Sequence, residues 1–154
     1  MRKLKYSDEY KYQCRGDFHY QTSIYGFEAD TPLLKLTKQG LITIKLGYAC
    51  DGPSGPTIDT PIFIFAAFIH DAIYQLIRMG FIPFRYWRQA DNEMATAIKF
   101  KLNEIRKTTA WYLKAASMAH EAAWNVMILV IMAGLKMANG DAAKPQNIKK
   151  VYVI

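Results

Sequence analysis

The chain has 154 residues, a length that suits one domain around a single sizeable core. Half of it is apolar (51%), with three Trp, ten Tyr and eight Phe, which excludes a disordered chain. Lysines and arginines outnumber acids by 20 to 13, a net charge of +7 that favours an anionic partner; a merely basic, soluble surface is the bland alternative.

Two cysteines, Cys14 and Cys50, are too few for a disulfide scaffold. Both are expected reduced, as in a cytoplasm, with a single Cys14–Cys50 bridge left open as an alternative. Residues 1–20 are charged and lack an apolar block, so no signal peptide is expected.

Residues 10–48 read as β-structure. Asp17 to Tyr25 mixes aromatic and β-branched residues and stops at Gly26. The runs Leu33–Thr37 and Leu41–Leu46 flank Lys38-Gln39-Gly40, a hairpin turn. Residues 47–60 hold Gly47, Gly52, Pro53, Gly55 and Pro56, which forbid a regular element. Asp59 or Thr60 can then cap a helix with Pro61 at its first position.

That helix, Pro61 to about Met79, is apolar nearly all round, which predicts burial on most sides. Its apolar run is broken at His70-Asp71 and reads as too short to span a bilayer. Gly80 ends it. A second helix is predicted from about Tyr86 to Ile105, with the stripe Ala90, Met94, Ala97, Ile98, Leu102, Ile105. A third helical region covers about Thr109 to Met137, and its apolar stretch 122–135 reads as buried or partner-facing. The tail after Gly140 ends in Val151-Tyr152-Val153-Ile154, an edge-strand candidate. The fold class is therefore α+β: a small N-terminal antiparallel sheet followed by a bundle of three or more helices. One domain spans 1–154, with β-rich residues 1–48, a site loop at 47–60, helices at 61–138 and a tail at 139–154.

The chemistry concentrates at His70-Asp71 in the middle of the most apolar helix. A buried carboxylate without a partner costs several kcal/mol, roughly, so something must satisfy it. An internal salt bridge to Arg78 or Arg88 is the plain solution; a metal ion or a catalytic dyad is the sharper one. Tyr74 lies four residues after His70 on the same helix face. Asp91 is in phase with Met94, Ala95 and Ile98 and can face the first helix, unless it merely serves the helix dipole as a first-turn acid. The glycine-rich loop lets backbone carbonyls turn inward, as hard cations such as calcium require.

This ordered set of a Gly52-Pro53 loop, His70-Asp71-Ala72-Ile73-Tyr74, then Gly80, Pro83-Phe84 and Ala90-Asp91 resembles phospholipase A₂, most closely the disulfide-free form in parvovirus capsid proteins. The stretch is also similar to an uncharacterised tailed-phage family, through Asp51-Gly52-Pro53-Ser54, His70-Asp71-Ala72-Ile73-Tyr74 and Arg88-Gln89-Ala90-Asp91. Together the resemblances cover roughly residues 45–105. The glycines of the loop are spaced less tightly than in phospholipases, and Pro53 and Pro56 stiffen it.

The resemblance implies a phage-encoded, calcium-assisted ester hydrolase. His70, Asp91 and Tyr74 would be catalytic: His70 as general base on water, Asp91 fixing its tautomer, Tyr74 holding Asp91. Asp71, Asp51, Gly52 and Gly55 would hold Ca²⁺. Phospholipid would reach the site along Phe63 and Ile64. Lys99, Lys101, Arg106 and Lys107, with Trp111 and Tyr112, would meet an anionic membrane surface. The protein would work in the host cytoplasm or the virion.

Two rivals stay open. One is a non-enzymatic phage protein whose His/Asp cluster is a buried polar network, self-associating or joining a virion through residues 122–135. Another is a metal phosphohydrolase drawing a ligand from His19 or His120. Nucleic-acid binding is not expected, because no fold signature or zinc spacing accompanies the charge.

Overall fold

The computed structural model describes residues 12–52, 60–108, 111–138 and 140–147. Its first half is β-structure: β1 (Tyr12–Gln13), β2 (Phe18–Gln21), β3 (Ala29–Asp30), β4 (Leu34–Leu36), β5 (Leu41–Ile44) and β6 (Ala49–Cys50). The four-stranded antiparallel sheet has the order β2-β5-β4-β3, and β1 pairs with β6 as a separate ribbon. The expected hairpin joins β4 to β5, with the Gly40 amide donating to the Thr37 carbonyl at 2.8 Å. Alternation sends Leu34, Leu36, Ile42 and Ile44 into the core.

The strand expected over residues 17–25 ends at Gln21. The reason is Thr22, whose hydroxyl donates to the Gly40 carbonyl (2.8 Å) and accepts from the Ile24 amide (3.1 Å), turning the backbone out of the ladder. The Ser23 amide is taken by Glu93 Oε1 at 2.7 Å, and Gln89 Nε2 donates to the Ser23 carbonyl at 2.8 Å. Burial, and then the charge and hydrogen bond of Glu93, push the Tyr20 hydroxyl up to about 12.

The helices are α1 (Pro61–Arg78), α2 (Trp87–Thr108) and α3 (Trp111–Ala138). Thr60 caps α1 by accepting from the Phe63 amide at 3.3 Å, and Pro61 sits in the first turn, where no backbone donor is needed. With 18 residues, α1 is long and apolar enough to cross a bilayer, which corrects the expectation that it is too short; 67% of it is buried inside the fold, which accounts for its composition.

α1 packs chiefly against α2. The pair is antiparallel: Tyr74 meets Asp91 at one end, and Phe65 stacks on Phe100 at the other. Ala90, Met94, Ala97 and Ile98 are buried as the stripe predicts, but Ile105 is exposed because α2 outruns the start of α1. α3 buries Ile128 and Ile131 and sets Trp124 against Phe63, ring centroids 5.3 Å apart. Val126, Leu129, Val130 and Met137 on α3 are exposed.

The residues after α3 are no loose tail. Gly140 and the short 3-10 turns Asp141–Ala143 and Pro145–Asn147 close over the C-terminal end of α1, and Ala143 is fully buried. Gly140 has φ +70°, and a Cβ there would fall 2.6 Å from the Trp87 ring, so the close approach requires glycine. The proposed edge strand at 151–154 lies outside the described residues.

Candidate functional site

His70, Tyr74 and Asp91 converge at the α1–α2 interface. His70 and Tyr74 share one face of α1, one turn apart, with ring centroids 4.1 Å apart. Asp91 reaches them from α2 and is 2% exposed. Its Oδ1 accepts from the Tyr74 hydroxyl at 2.6 Å and lies 3.0 Å from His70 Nε2. A carboxylate can only accept, so Nε2 carries the hydrogen in this pair. The first turn of α2 contains no acid, so Asp91 is not a dipole-serving residue. Nor is Arg88 its partner: that side chain is exposed, its guanidinium 5.1 Å above the Trp87 ring.

The second nitrogen of His70, Nδ1, lies 3.5 Å from Asp71 Oδ1, a loose contact. Asp91 Oδ2 is buried and has no hydrogen-bond partner among the described residues. An orphaned buried acceptor costs about 1–3 kcal/mol. A cluster serving only to lock two helices together is best closed, with every lone pair used. Here the lone pairs of Asp91 Oδ2 are left unused.

Burial pulls the His70 pKa down, but hydrogen bonds to Asp71 and then Asp91, with both negative charges, outweigh it and leave the ring above its ordinary 6.5. Burial, then the hydrogen bond and charge of Asp91, raise Tyr74 far above the usual phenol range, so its hydroxyl stays a donor. A raised folded-state pKa stabilises fully below about 6.5, the unfolded value, and that contribution disappears as pH rises through the folded value. In chelator, the melting temperature should therefore fall as pH climbs above 6.5, and Asp71→Asn should shorten that window. A wild-type profile flat across this range would show that the two acids do not hold the proton.

His70, Asp71 and Tyr74 line a cavity of about 230 Å³. Asp51 and Gly52, at the end of β6, join its wall. Gly52 is buried with φ +81°, and a Cβ there would fall 2.6 Å from the Tyr12 ring, so β1 fixes this stretch of loop. Gly55 lies outside the described residues, as do the side chains of Arg106, Trp111, Tyr112 and His120.

Two expectations are corrected. Phe63 is fully buried against Trp124, and neither it nor Ile64 lines the cavity. The apolar wall comes from Met94 of α2 and from Ile131 and Leu135 of α3. The sequence names Arg78 only as a candidate salt-bridge partner and gives no sign of the 140–142 turn; both line the same cavity, with the Arg78 guanidinium on Gln75 and the Ala142 carbonyl. His19 stands exposed on β2, Nδ1 2.9 Å from Thr43 Oγ1, away from the cavity. Lys101 is held by Glu104 at 2.8 Å and lies over Phe65, so it is not a free member of a basic patch. Cys14 and Cys50 are not joined by a disulfide.

For calcium, the described residues offer Asp71, Asp51 and Gly52 as members of one cavity lining. No group of three or more His, Cys, Asp or Glu side chains able to hold a metal occurs among the described residues. Carboxylate and backbone oxygens are donor types of a hard cation, whereas zinc favours nitrogen and sulfur. Comparison with family models, curated proteins and solved structures yields no match.

Proposed function

We propose that this chain is a phospholipase A₂-like hydrolase that cleaves an ester bond of phospholipid with His70 as general base. The observation that carries this reading is the His70–Asp91 pair, 3.0 Å apart and buried, with the rest of the imidazole in a cavity wall. Asp91 holds Nε2 protonated, which leaves Nδ1 to take a proton from water as the water attacks the ester carbonyl, and to return it to the departing lysophospholipid alkoxide as the ester C–O bond breaks. Tyr74 fixes the height of Asp91. The acyl chain lies along Met94, Ile131 and Leu135. Asp71, Asp51 and the Gly52 backbone are the residues that would hold calcium, which when bound polarises the ester carbonyl. The similarity of the Asp51, His70 and Asp91 motifs to a tailed-phage family supports a viral origin, with work in the host cytoplasm or the virion.

The test is release of fatty acid and lysophospholipid from short-chain phosphatidylcholine by purified protein, in calcium and in chelator. Calcium should also raise the melting temperature: binding to the native state at a hundred times Kd stabilises by about 2.7 kcal/mol. Asp71→Ala should remove the shift. No cleavage under either condition, with no shift, would overturn the proposal.

A second reading is favoured by the outer face of α3. Val126, Leu129 and Met137 are 59%, 68% and 87% exposed, a stripe at helical spacing. A virion or self-association role would use this face and leave the His/Asp cluster inert. Under that reading the protein sediments as an oligomer, and Leu129→Lys returns it to a monomer without touching the calcium response.

A further inference from the structure

The connection between α1 and α2 exposes the larger of its apolar side chains and buries the smaller. In Met79-Gly80-Phe81-Ile82-Pro83-Phe84, Ile82 is buried, while Met79, Phe81 and Phe84 are 43%, 37% and 41% exposed. One exposed apolar side chain is ordinary; three within six residues, two of them aromatic, are a patch. The patch is also held still. The amides of Phe81 and Ile82 both donate to the Leu76 carbonyl, at 3.0 Å and 3.3 Å, and the Tyr86 amide donates to the Pro83 carbonyl at 3.0 Å. Ordering this corner on a partner therefore costs little.

Its charge has one sign. From Ala72 to Ala90 the sequence holds three arginines and no aspartate or glutamate. Arg78 is turned inward onto Gln75 and the Ala142 carbonyl. Arg85 and Arg88 are exposed, each over its neighbouring ring, Tyr86 at 5.4 Å and Trp87 at 5.1 Å. Neither pairs with a carboxylate among the described residues. The acids that approach from other elements are themselves paired. Glu28, next to the Phe27 that packs on Tyr86, lies 3.7 Å from Lys38; Asp141, next to the Gly140 seated on Trp87, lies 2.5 Å from Lys144.

We infer that this corner docks on an anionic lipid bilayer, with Met79, Phe81 and Phe84 entering the boundary between headgroups and acyl chains and Arg85 and Arg88 meeting the anionic headgroups. Exposed aromatic side chains beside arginines have the composition of an interfacial anchor. Size argues against a protein partner: five side chains fall well short of the roughly 20–30 residues a side that a stable protein interface engages. A bilayer needs only a few penetrating side chains. The inference stands apart from the hydrolase reading, since docking requires neither calcium nor cleavage. It moves the membrane contact from Lys99 and Lys101 to the other end of α2. Arg78 and Gly140, which flank the corner, line the cavity, so docking brings the bilayer beside it.

The test uses the full chain in chelator, co-sedimented with vesicles of phosphatidylcholine mixed with phosphatidylserine or of phosphatidylcholine alone. Wild type should prefer the mixed vesicles and bind them more weakly as salt rises. Phe81→Ala combined with Phe84→Ala should lower the affinity at least about tenfold. Arg85→Gln combined with Arg88→Gln should lower it by about 10- to 30-fold, at about fivefold per charge, and remove most of the salt dependence. These side chains are exposed, so both double variants should keep the wild-type melting temperature; if the phenylalanine pair melts lower, the arginine pair decides. Leu129→Lys on α3 and Lys99→Gln on α2 should bind as wild type does. Three results would overturn the inference: wild type binding both vesicles equally or neither, a double variant of native stability binding as wild type does, or an equal loss in Leu129→Lys or Lys99→Gln. Indifference to vesicles together with an oligomer that Phe81→Ala dissolves would assign the corner to a protein instead.

Discussion

His70→Ala is expected to lower phospholipid turnover in calcium by about 10²–10⁴-fold, the usual contribution of a positioned general base. KM should change little, because the ring acts on water and does not bind lipid. Asp91→Asn preserves the shape of the cluster but replaces the charged acceptor of His70 Nε2 with an amide. It should lose nearly as much, since the imidazole then no longer presents a bare Nδ1 reliably. Tyr74→Phe removes one bond to Asp91 Oδ1 and should lose about tenfold. Fatty-acid release at saturating lipid measures all three. Full activity in His70→Ala would remove the imidazole from the mechanism, whatever the geometry.

The second large effect is on stability. Phe63 is fully buried where α1 meets α3, its ring 5.3 Å from Trp124. Truncating such a residue forfeits its burial and leaves a void, so Phe63→Ala should cost about 3–5 kcal/mol, visible as a lower denaturant midpoint at unchanged slope. Phe63→Leu keeps more of the volume and should cost less. Any activity that survives in Phe63→Leu should keep its KM, because the residue stands in the core and not in the path of the lipid. A loss under 1 kcal/mol accompanied by a shifted KM would restore Phe63 to the substrate channel.

Local chemistry made the helices readable. Thr60-Pro61 starts α1 as the capping rule requires, and the phase of Asp91 with Met94 and Ile98 placed its side chain on the α1 side of α2. The α+β architecture follows from the same patterns, and the hairpin at Lys38-Gln39-Gly40 from its turn residues. Long-range contacts were not readable. The end of β2 is decided by Thr22 bonding to Gly40, 18 positions away, and by Glu93, 70 positions from Ser23. Helical periodicity said that α1 is buried, but not which residues face α3 and which face a cavity. Phe63 and Ile64 therefore read as a substrate path, whereas the cavity is lined by Ile131 and Leu135. The cavity is lined in part by residues 140–142, which carry no pattern of their own.

The seat of Gly140 on Trp87 has a consequence for the distant acid. Trp87 and Asp91 are four residues apart on α2 and so share one side of it. A methyl group at position 140 would have to displace the indole, its nearest atom only 2.6 Å away. Shifting that indole levers the start of α2, and with it the carboxylate that orients the imidazole. A side chain at position 140, 49 positions downstream, is thus expected to disturb the His70–Asp91 pair.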